Sequence, residues 1–409
     1  MLVVAYWIHA AASRRPDRIA IEGPERTLTY AELREAAVAR AGTFHGRRVA
    51  LASPAVEDFT IDLHACLLAG AAAVPIDLRL SAAEQAQRRA AADVTVDVPP
   101  GADVPVAVMH TSGTTAAPKV VVLTHGNFLA SALGSAVALG LDEDERWLCP
   151  MPLTHVGGLS IPIRSAIYAT TAVLHGRFDT EAVLSELMDP GRRITLVSLV
   201  PTMLSRLLDA GLENPPTLRW ALLGGGPIAA PLLDQARAAG VPVAPTYGMT
   251  EACSQIATFG WPLPGVELRT SEEEVIVSGP IVSPGALSDD GWLHTGDLGR
   301  FDERGRLEII GRKSDTIVSG GENVAPAEVE AVLLEHPAVA DAAVHPRPDP
   351  EWGEAVVATV VLRDGVEAGP EELRTHCAAR LAGFKVPKAF GFAEQLPRTP
   401  SGKLLRRQL

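Results

Sequence analysis

The chain has 409 residues, of which 47% are hydrophobic and 21% are charged, and its formal net charge is −13. This composition excludes a disordered protein, and the acidity excludes a general electrostatic attraction to nucleic acid or to anionic membrane surfaces. No apolar run reaches the ~20 residues of a membrane helix, and the four cysteines form no C-x-x-C pair, so we expect a cytoplasmic protein without a zinc site or disulfides.

The elements of the first 300 residues alternate between helical patterns and short apolar runs. The segment 1–21 is expected to be an amphipathic helix rather than a signal peptide, because its basic residues follow the apolar run. Thr29 and Glu32 form a capping box ahead of a second helix. Further strands such as "ITLVSLV" and "RWALLGGG" alternate with helices, which predicts an α/β fold with mostly parallel, helix-covered sheets.

The pattern changes after residue 262. Short strands separated by Gly, Pro and Asp predict a small β-barrel-like subdomain over about 262–311. From residue 313 onward, helices and strands predict a separate α+β domain, with Pro326 in the first turn of a helix. We therefore predict an N-terminal domain, 1–312, and a C-terminal domain, 313–409.

A polar loop, "HTSGTTAAPKVVVLTHGNF" (110–128), lies between two apolar runs. It lacks the second glycine and the hydroxyl after lysine of a Walker loop, G-x-x-x-x-G-K-[ST]. Hydroxyls, successive backbone amides and a lysine can nevertheless bind phosphate oxygens. The alternative is a polar turn between two strands. The candidate phosphate ligands are Thr111, Ser112, Gly113, Thr114, Thr115 and Lys119.

Seven motifs follow one another in a characteristic order, and together they resemble the acyl-adenylate-forming superfamily of AMP-forming ligases. They are "TSGTTAAPK" (111–119), "PLTHVGGL" (152–159), "LLGGGPI" (222–228), "YGMTE" (247–251), "HTGDLG" (294–299), "GRKSDTIVSGGENVAPAEVE" (311–330) and "PRTPSGK" (397–403). The resemblance implies that a carboxylate attacks the α-phosphate of ATP with Mg²⁺, and that coenzyme A then displaces AMP from the acyl-adenylate.

The resemblance also implies roles for the nucleotide-binding residues. The polar loop would hold the β- and γ-phosphates, and Gly224, Gly225 and Gly226 would lie against adenine, although a tight strand-to-helix turn is the alternative. Tyr247 would stack on adenine. Thr250 would donate to the α-phosphate, and Glu251 would bind Mg²⁺, although an acid at a helix N-terminus is the alternative for Glu251.

A second set of roles concerns the ribose, the catalytic lysine and the domain junction. By resemblance, Asp297 accepts from the ribose hydroxyls, Arg312 binds ribose or phosphate, and Lys403 bridges the carboxylate and the α-phosphate. The alternative for Asp297 and Arg312 is a surface turn or an ion pair. The alternative for Lys403 is a solvated lysine of the C-terminal tail. The C-terminal domain would turn as a mobile lid about a hinge near Ser314, beside Lys313. Gly320 and Gly321 would then line the pantetheine channel.

The acid substrate is expected to carry a second carboxylate. No acidic residue lies between Leu153 and Ser165, which disfavours an amino acid, and Arg164 can pair with a carboxylate. The run around Arg164 is similar to o-succinylbenzoate–CoA ligases of menaquinone biosynthesis, which implies an aromatic dicarboxylate. His155 would stack on the aryl ring or gate the pocket. The alternatives are that His155 is only packed in the core and that Arg164 is a surface residue of a helix.

Two departures from the family pattern affect the polar loop: Ala116 and Val120 replace glycines and would block a left-handed backbone there. Another aryl- or acyl-CoA ligase, or an adenylating enzyme that loads a carrier protein, remains an alternative. A non-catalytic nucleotide-binding homologue is a third alternative. The residues that argue against it are Thr250, Glu251, Asp297, Arg312 and Lys403. The sequence leaves a homodimer open.

Overall fold

The computed structural model describes residues 6–44, 48–92, 104–111, 119–350, 352–398 and 404–409. Of its helices, none that lies in these ranges is long and apolar enough to cross a membrane. The helices are α1 (Trp7–Arg14), α2 (Tyr30–Ala41), α3 (Val56–Ala69), α4 (Ala82–Ala92), α5 (His125–Leu139), α6 (Val156–Tyr168), α7 (Thr180–Met188), α8 (Pro201–Asp209), α9 (Ala230–Ala238), α10 (Pro326–Leu334) and α11 (Pro370–Ala378).

The strands form four sheets. They are β1 (Ile19–Glu22), β2 (Thr27–Thr29), β3 (Arg48–Leu51), β4 (Ala72–Pro75), β5 (Pro105–Thr111), β6 (Lys119–Thr124), β7 (Arg146–Cys149), β8 (Thr171–Leu174), β9 (Leu196–Leu199), β10 (Trp220–Leu223), β11 (Val243–Met249), β12 (Ser254–Thr258), β13 (Trp261–Pro262), β14 (Glu267–Ser271), β15 (Glu274–Ser278), β16 (Leu293–Phe301), β17 (Leu307–Arg312), β18 (Ile317–Ser319), β19 (Glu322–Val324), β20 (Val339–Asp349), β21 (Gly353–Leu362) and β22 (Ala389–Phe392).

The largest sheet has nine strands in the order β13-β12-β11-β10-β9-β7-β8-β1-β2. Its central pairs, from β11 through β10, β9, β7 and β8 to β1, are parallel, and antiparallel strands occur only at the two edges. Every residue of β8 and β9 is buried, as expected for strands covered by helices on both faces. The prediction of a mostly parallel, helix-covered sheet is confirmed.

A second sheet, in the order β3-β4-β5-β6, carries the polar loop. Strands β5 and β6 are antiparallel, with Thr111 opposite Lys119 and His110 opposite Val120. The loop between them, 112–118, lies outside the described residues and includes Ala116. Val120 is a paired strand residue and is not among the residues with positive φ, so a valine fits this position. The expected conflict with a left-handed backbone does not arise at residue 120.

The remaining strands form two further sheets. Strands β14 to β17 form an antiparallel sheet in chain order, where the sequence predicts the β-rich subdomain. Strands β18 to β22 form a sheet in the order β19-β18-β21-β20, with β22 beside β21. Its buried core includes Val329 of α10 and Leu373 of α11. The domain boundary at 312/313 stays a prediction, although the sheets separate near that point.

Two local predictions are confirmed at the helix ends. The hydroxyl of Thr29 accepts from the backbone amide of Glu32, and the Glu32 carboxylate accepts from the amide of Thr29, which is the reciprocal pair of a capping box. Pro326 lies in the first turn of α10, where a missing amide hydrogen costs nothing.

Candidate active site

Two predicted motifs follow adjacent parallel strands. Gly224–Gly226 follow β10, and Thr250 and Glu251 follow β11 in a short 3-10 turn, Thr250–Ala252. In an open α/β sheet the loops after the carboxyl ends of parallel strands line the usual binding crevice. The fold therefore brings these two motifs together at the carboxyl ends of the parallel strands of the nine-stranded sheet.

The three glycines differ in what they can accommodate. A Cβ at Gly224 would lie 2.7 Å from Cγ2 and 2.8 Å from the carbonyl oxygen of Thr246, and Gly225 has φ +80°. Packing and backbone geometry thus explain these two glycines without a ligand. A Cβ at Gly226 would meet only Pro201, at 3.8 Å. Packing therefore does not require a glycine at position 226.

Tyr247, Asp297 and Arg312 form one connected group. Asp297 and Arg312 are opposite each other on β16 and β17, and Nε of Arg312 is 2.7 Å from Oδ1 of Asp297. The Tyr247 hydroxyl donates to Oδ2 of Asp297 over 2.8 Å. Burial and the nearby Asp297 carboxylate raise the pKa of Tyr247, so this hydroxyl keeps its proton. Three residues that the sequence assigns separately to the nucleotide thus meet at one carboxylate.

Glu251 and Lys119 also approach each other. Nζ of Lys119 is 4.0 Å from Oε1 of Glu251, and the side chain of Glu251 is 18% exposed. Within the ranges described, no three His, Cys, Asp or Glu residues cluster as a metal site. A single carboxylate fits Mg²⁺ that takes its other ligands from phosphate oxygens and water. The donor set therefore suits a magnesium–nucleotide complex.

Gly248 is a structural requirement that the sequence analysis missed. A Cβ there would lie 1.6 Å from the carbonyl oxygen of Ser254, so no other residue fits without moving the chain. Cys253 and Ser254, which start the return strand, have φ values of 50° and 90°. Gly248 thus permits the tight turn that presents Thr250 and Glu251. The glycine inside "YGMTE" was the available signal.

His155 lies at the start of α6 beside a pair of residues that the sequence did not indicate. Arg79 binds both carboxylate oxygens of Asp77, over 2.9 and 2.6 Å. Desolvation by the surrounding protein lowers the pKa of His155, and the charge of Arg79 lowers it further. His155 is therefore a neutral ring at pH 7, which suits a contact with an aryl group better than with an anion.

Arg164, predicted as the residue that binds a carboxylate, is 1% exposed. It donates to the Ser131 hydroxyl over 2.8 Å and lies 5.6 Å from the centre of the Trp147 ring. Its Nε has no partner among the described residues, and burial lowers its pKa. The Ser131 hydroxyl in turn donates to the carbonyl oxygen of Cys253 over 2.8 Å. Arg164 therefore lies directly behind the turn that carries Glu251.

The "SGGEN" loop comprises residues 319–323. Its two glycines have the left-handed backbone that favours glycine. The φ values of Gly320 and Gly321 are +61° and +86°. Trp352, which the sequence analysis missed, packs on this loop: the amide of Gly320 donates to its carbonyl oxygen over 2.8 Å. Nζ of Lys388 lies 4.4 Å from the centre of the Trp352 ring. Trp352 thus lies against the loop, and the positively charged Lys388 lies against the ring of Trp352.

Part of the predicted site lies outside the described residues. Ser112, Gly113, Thr114 and Thr115 of the polar loop belong to this part, as does Lys403. The residues that flank Lys403 are described: Arg398 and Leu404 form an antiparallel bridge, and the amide of Leu405 donates to the carbonyl oxygen of Pro397 over 2.8 Å. The chain on either side of Lys403 is therefore drawn together.

Comparison with known proteins identifies the group to which this arrangement belongs. The chain matches the family described as AMP-binding enzyme over residues 8–98 and 85–282. It matches the AMP-binding enzyme C-terminal domain over 328–403. It is 39% identical to the 2-succinylbenzoate–CoA ligase of Bacillus licheniformis, with 98% of each chain covered.

Two solved structures of the o-succinylbenzoate CoA synthetase from Bacillus subtilis are similar to the whole chain. The complex with the acyl-adenylate intermediate has a TM-score of 0.86 at 35% identity, covering 98% of this chain and 97% of that one. The complex with ATP and magnesium ion has a TM-score of 0.86 at 36% identity, covering 99% of each. The chain belongs to the AMP-binding enzyme family of AMP-forming ligases, as its ordered motifs predicted.

Proposed function

We propose that this protein ligates 2-succinylbenzoate to coenzyme A in menaquinone biosynthesis, with conversion of ATP to AMP and pyrophosphate. The observation that carries the choice of acid is Arg164, a buried guanidinium behind the Glu251 turn with no carboxylate partner among the described residues. A buried cation without a counter-ion is costly to the folded protein. A substrate with a second carboxylate supplies that counter-ion, and full-length similarity to ligases of this name supports the assignment.

The adenylation step joins an oxygen of one substrate carboxylate to the α-phosphorus of ATP, and the bond to pyrophosphate breaks. Thr250 donates to the α-phosphate, and Lys119 and the polar loop hold the departing phosphates. Lys403 bridges the carboxylate and the α-phosphate, where its charge stabilises the transition state. Mg²⁺, held by Glu251 and phosphate oxygens, supplies neutralisation of phosphate charge when it is bound.

The thioester step transfers the acyl group to sulfur. The thiol of coenzyme A attacks the acyl carbon, AMP departs with the bonding electrons, and the thiol proton is released. Lys403 and the "SGGEN" loop serve different steps in this proposal, so the C-terminal domain turns about Ser314 between them. Lys313, next to the hinge, lies 3.1 Å from Glu274 of the β-rich sheet and would stay with that sheet during the turn, because it precedes Ser314.

The ribose subsite is built on Asp297. Its two oxygens already accept from Tyr247 and Arg312, but each carboxylate oxygen has capacity for a further donor. The ribose hydroxyls would take that capacity. Arg312 then stays beside the sugar as a fixed charge, and the hydroxyl of Tyr247 orients the carboxylate while its ring faces adenine.

The second carboxylate of the acid is assigned to Arg164. Because this side chain is 1% exposed, contact with the substrate requires a bridging water or a change of rotamer. His155, a neutral ring at the start of the same helix, is assigned to the aryl group. We place the enzyme in the cytoplasm, without a nucleic-acid partner or membrane insertion. Light scattering distinguishes a monomer from a homodimer.

The decisive experiment is carboxylate-dependent exchange of pyrophosphate into ATP, measured with a panel of acids. 2-Succinylbenzoate should give the highest kcat/KM, well above benzoate and above amino acids. Thioester formation should then require free coenzyme A and not a phosphopantetheinylated carrier protein. Exchange that favours another acid would overturn the substrate assignment, and absence of exchange with every acid would leave only a nucleotide-binding protein.

A further inference from the structure

Arg406 lies three residues after Lys403, and the protein holds its guanidinium on three sides. It binds both carboxylate oxygens of Glu330 of α10, with Nη2 at 2.9 Å from Oε2, and it donates to the carbonyl oxygen of Val344 over 2.9 Å. Its Nε lies 3.5 Å from Oδ2 of Asp315. A guanidinium with several planar contacts is held in one orientation.

The partners of Arg406 are themselves held in place. Glu330 is 7% exposed, and its Oε1 also accepts from the backbone amide of Val344 over 2.7 Å. Glu330 therefore connects α10 to β20 independently of Arg406. The arginine adds the C-terminal segment to this fixed point.

A second contact holds the chain on the other side of Lys403. Nη2 of Arg398 binds the two carboxylate oxygens of Asp341 on β20, over 2.9 and 2.7 Å. Arg398 also pairs with Leu404 across the loop. The described residues on both sides of Lys403 are thus bound to the C-terminal sheet.

The contact with Asp315 gives Arg406 a particular place in the domain. Asp315 immediately follows Ser314, the proposed hinge, and its side chain is 34% exposed. Arg406 therefore joins the first residues after the hinge to the residues next to Lys403. A rotation at the proposed hinge would be transmitted to residues 404–409 through this guanidinium as well as through the sheet.

We propose that Arg406 is a positioning residue for Lys403: its contacts with Asp315 and Glu330 hold residues 404–409 in place relative to the proposed hinge, so that Lys403, three residues earlier in the chain, reaches the reacting carboxylate and α-phosphate in adenylation. The inference rests on the proposed AMP-forming reaction. A displacement of about 1 Å at a catalytic group costs up to ~100-fold in rate. Loss of Arg406 should therefore slow the step that uses Lys403 and spare the step that does not.

The test separates the two half-reactions in the full-length enzyme. Arg406→Gln should lower kcat of pyrophosphate exchange by about 10- to 100-fold, with KM for ATP and for the acid changed by less than ~2-fold. Thioester formation from supplied acyl-adenylate and coenzyme A should stay within ~3-fold of wild type. Arg406→Lys, which keeps the charge but loses the planar fork, should recover part of the exchange rate.

A control variant and a milder variant complete the test. Arg380→Gln removes a C-terminal ion pair, 3.2 Å to Glu335, that does not involve residues 397–409, and it should exchange pyrophosphate like wild type. Asp315→Asn alters a half-exposed partner and should fold normally, with exchange lowered by about 3- to 10-fold. It decides the question if Arg406→Gln does not fold.

Two results would overturn the proposal. One is a parallel loss of both half-reactions in Arg406→Gln, which is the result expected of a brace that only stabilises the domain. The other is unchanged exchange in a folded Asp315→Asn. The assays use whichever acid supports exchange in the wild-type enzyme, so failure of 2-succinylbenzoate as a substrate contradicts the proposed function without affecting this test.

Discussion

Asp297 and Arg312 are opposite each other on adjacent antiparallel strands, and their side chains form an ion pair of 2.7 Å between Oδ1 and Nε. The Asp297 side chain is 7% exposed, while that of Arg312 is 47% exposed. The protein itself thus holds the Asp297 carboxylate in place, and about half of the Arg312 side chain stays exposed to solvent. Preorganised groups of this kind bind a ligand without first being ordered.

Asp297→Asn is predicted to weaken ATP binding. The amide has one acceptor oxygen in place of two and no charge, and a hydrogen bond to a charged group contributes about 1.5–3 kcal/mol. KM for ATP should rise by about 10- to 100-fold, while KM for the acid changes little. Glu308→Gln is the matched control, because Glu308 pairs with Arg300 across the same two strands over 3.0 Å. An equal effect in both variants would contradict the ribose assignment.

Lys403→Ala is predicted to separate the half-reactions. Removal of one group that stabilises transition-state charge costs about 100- to 1,000-fold in kcat. Pyrophosphate exchange should fall by that amount, while thioester formation from supplied acyl-adenylate stays near the wild-type rate. Rapid-quench measurement of each half-reaction provides the comparison. Equal losses in the two steps would refute the role assigned to this lysine.

Arg164→Met is predicted to reduce the preference for a dicarboxylate. Loss of a charged hydrogen bond corresponds to about 10- to 100-fold in kcat/KM. The measurement is the ratio of kcat/KM for 2-succinylbenzoate to that for a benzoate without the second carboxylate, because a ratio cancels any common effect on the fold. Arg164→Lys keeps the charge and should retain part of the preference. An unchanged ratio in the methionine variant would remove the main support for the substrate.

Alanine substitutions in the glycine run should have different effects at different positions. At Gly226 a Cβ meets only Pro201, at 3.8 Å, so Gly226→Ala should keep the wild-type melting temperature and raise KM for ATP if adenine lies there. At Gly224 a Cβ would lie 2.7 Å from Thr246, so Gly224→Ala should lower the melting temperature. Differential scanning calorimetry and exchange kinetics give both quantities. A wild-type KM in Gly226→Ala would favour the turn alone.

His64 is predicted to make the protein sensitive to acid. Burial lowers its pKa from 6.5 to about 4, and neither ring nitrogen has a partner among the described residues. Because the unfolded state binds the proton more tightly, the contribution of neutral His64 to the free energy of unfolding is fully present above pH 6.5. It declines as the pH falls toward 4, by about 3 kcal/mol in total.

His64→Leu should flatten the fall of the melting temperature between pH 7 and pH 4.5. Parallel curves for wild type and His64→Leu would contradict the prediction.

The sequence predicted the elements with strong periodicity and the groups of residues with distinctive chemistry. Strands β9 and β10, the capping box at Thr29 and the first turn of α10 depend on local pattern, and each was predicted. The convergence of Tyr247 and Arg312 on Asp297 depends on strand register. Separate motifs do not specify that register, so each residue could be assigned to the nucleotide but not to its neighbours.

The missed residues depend on contacts between distant parts of the chain. Asp77 and Arg79 form a pair whose electrostatic effect on His155 arises only in the folded chain, because His155 is far from both in the sequence. Trp352 meets Gly320 through the pairing of β18 with β21. The interior position of Arg164 was also not evident, because a lone arginine on a helix gives no sign of which side the core covers.

The Ser131 hydroxyl takes part in two hydrogen bonds. It accepts a hydrogen bond from Arg164 and donates one to the carbonyl oxygen of Cys253, which follows the Thr250–Glu251 turn. In the proposed enzyme, the group that selects the acid thereby also supports the group that handles the nucleotide. An engineer who replaces Arg164 to admit a different acid therefore also weakens a support of the metal-binding carboxylate, and would need a new hydrogen-bond donor for Ser131 to keep the two properties independent.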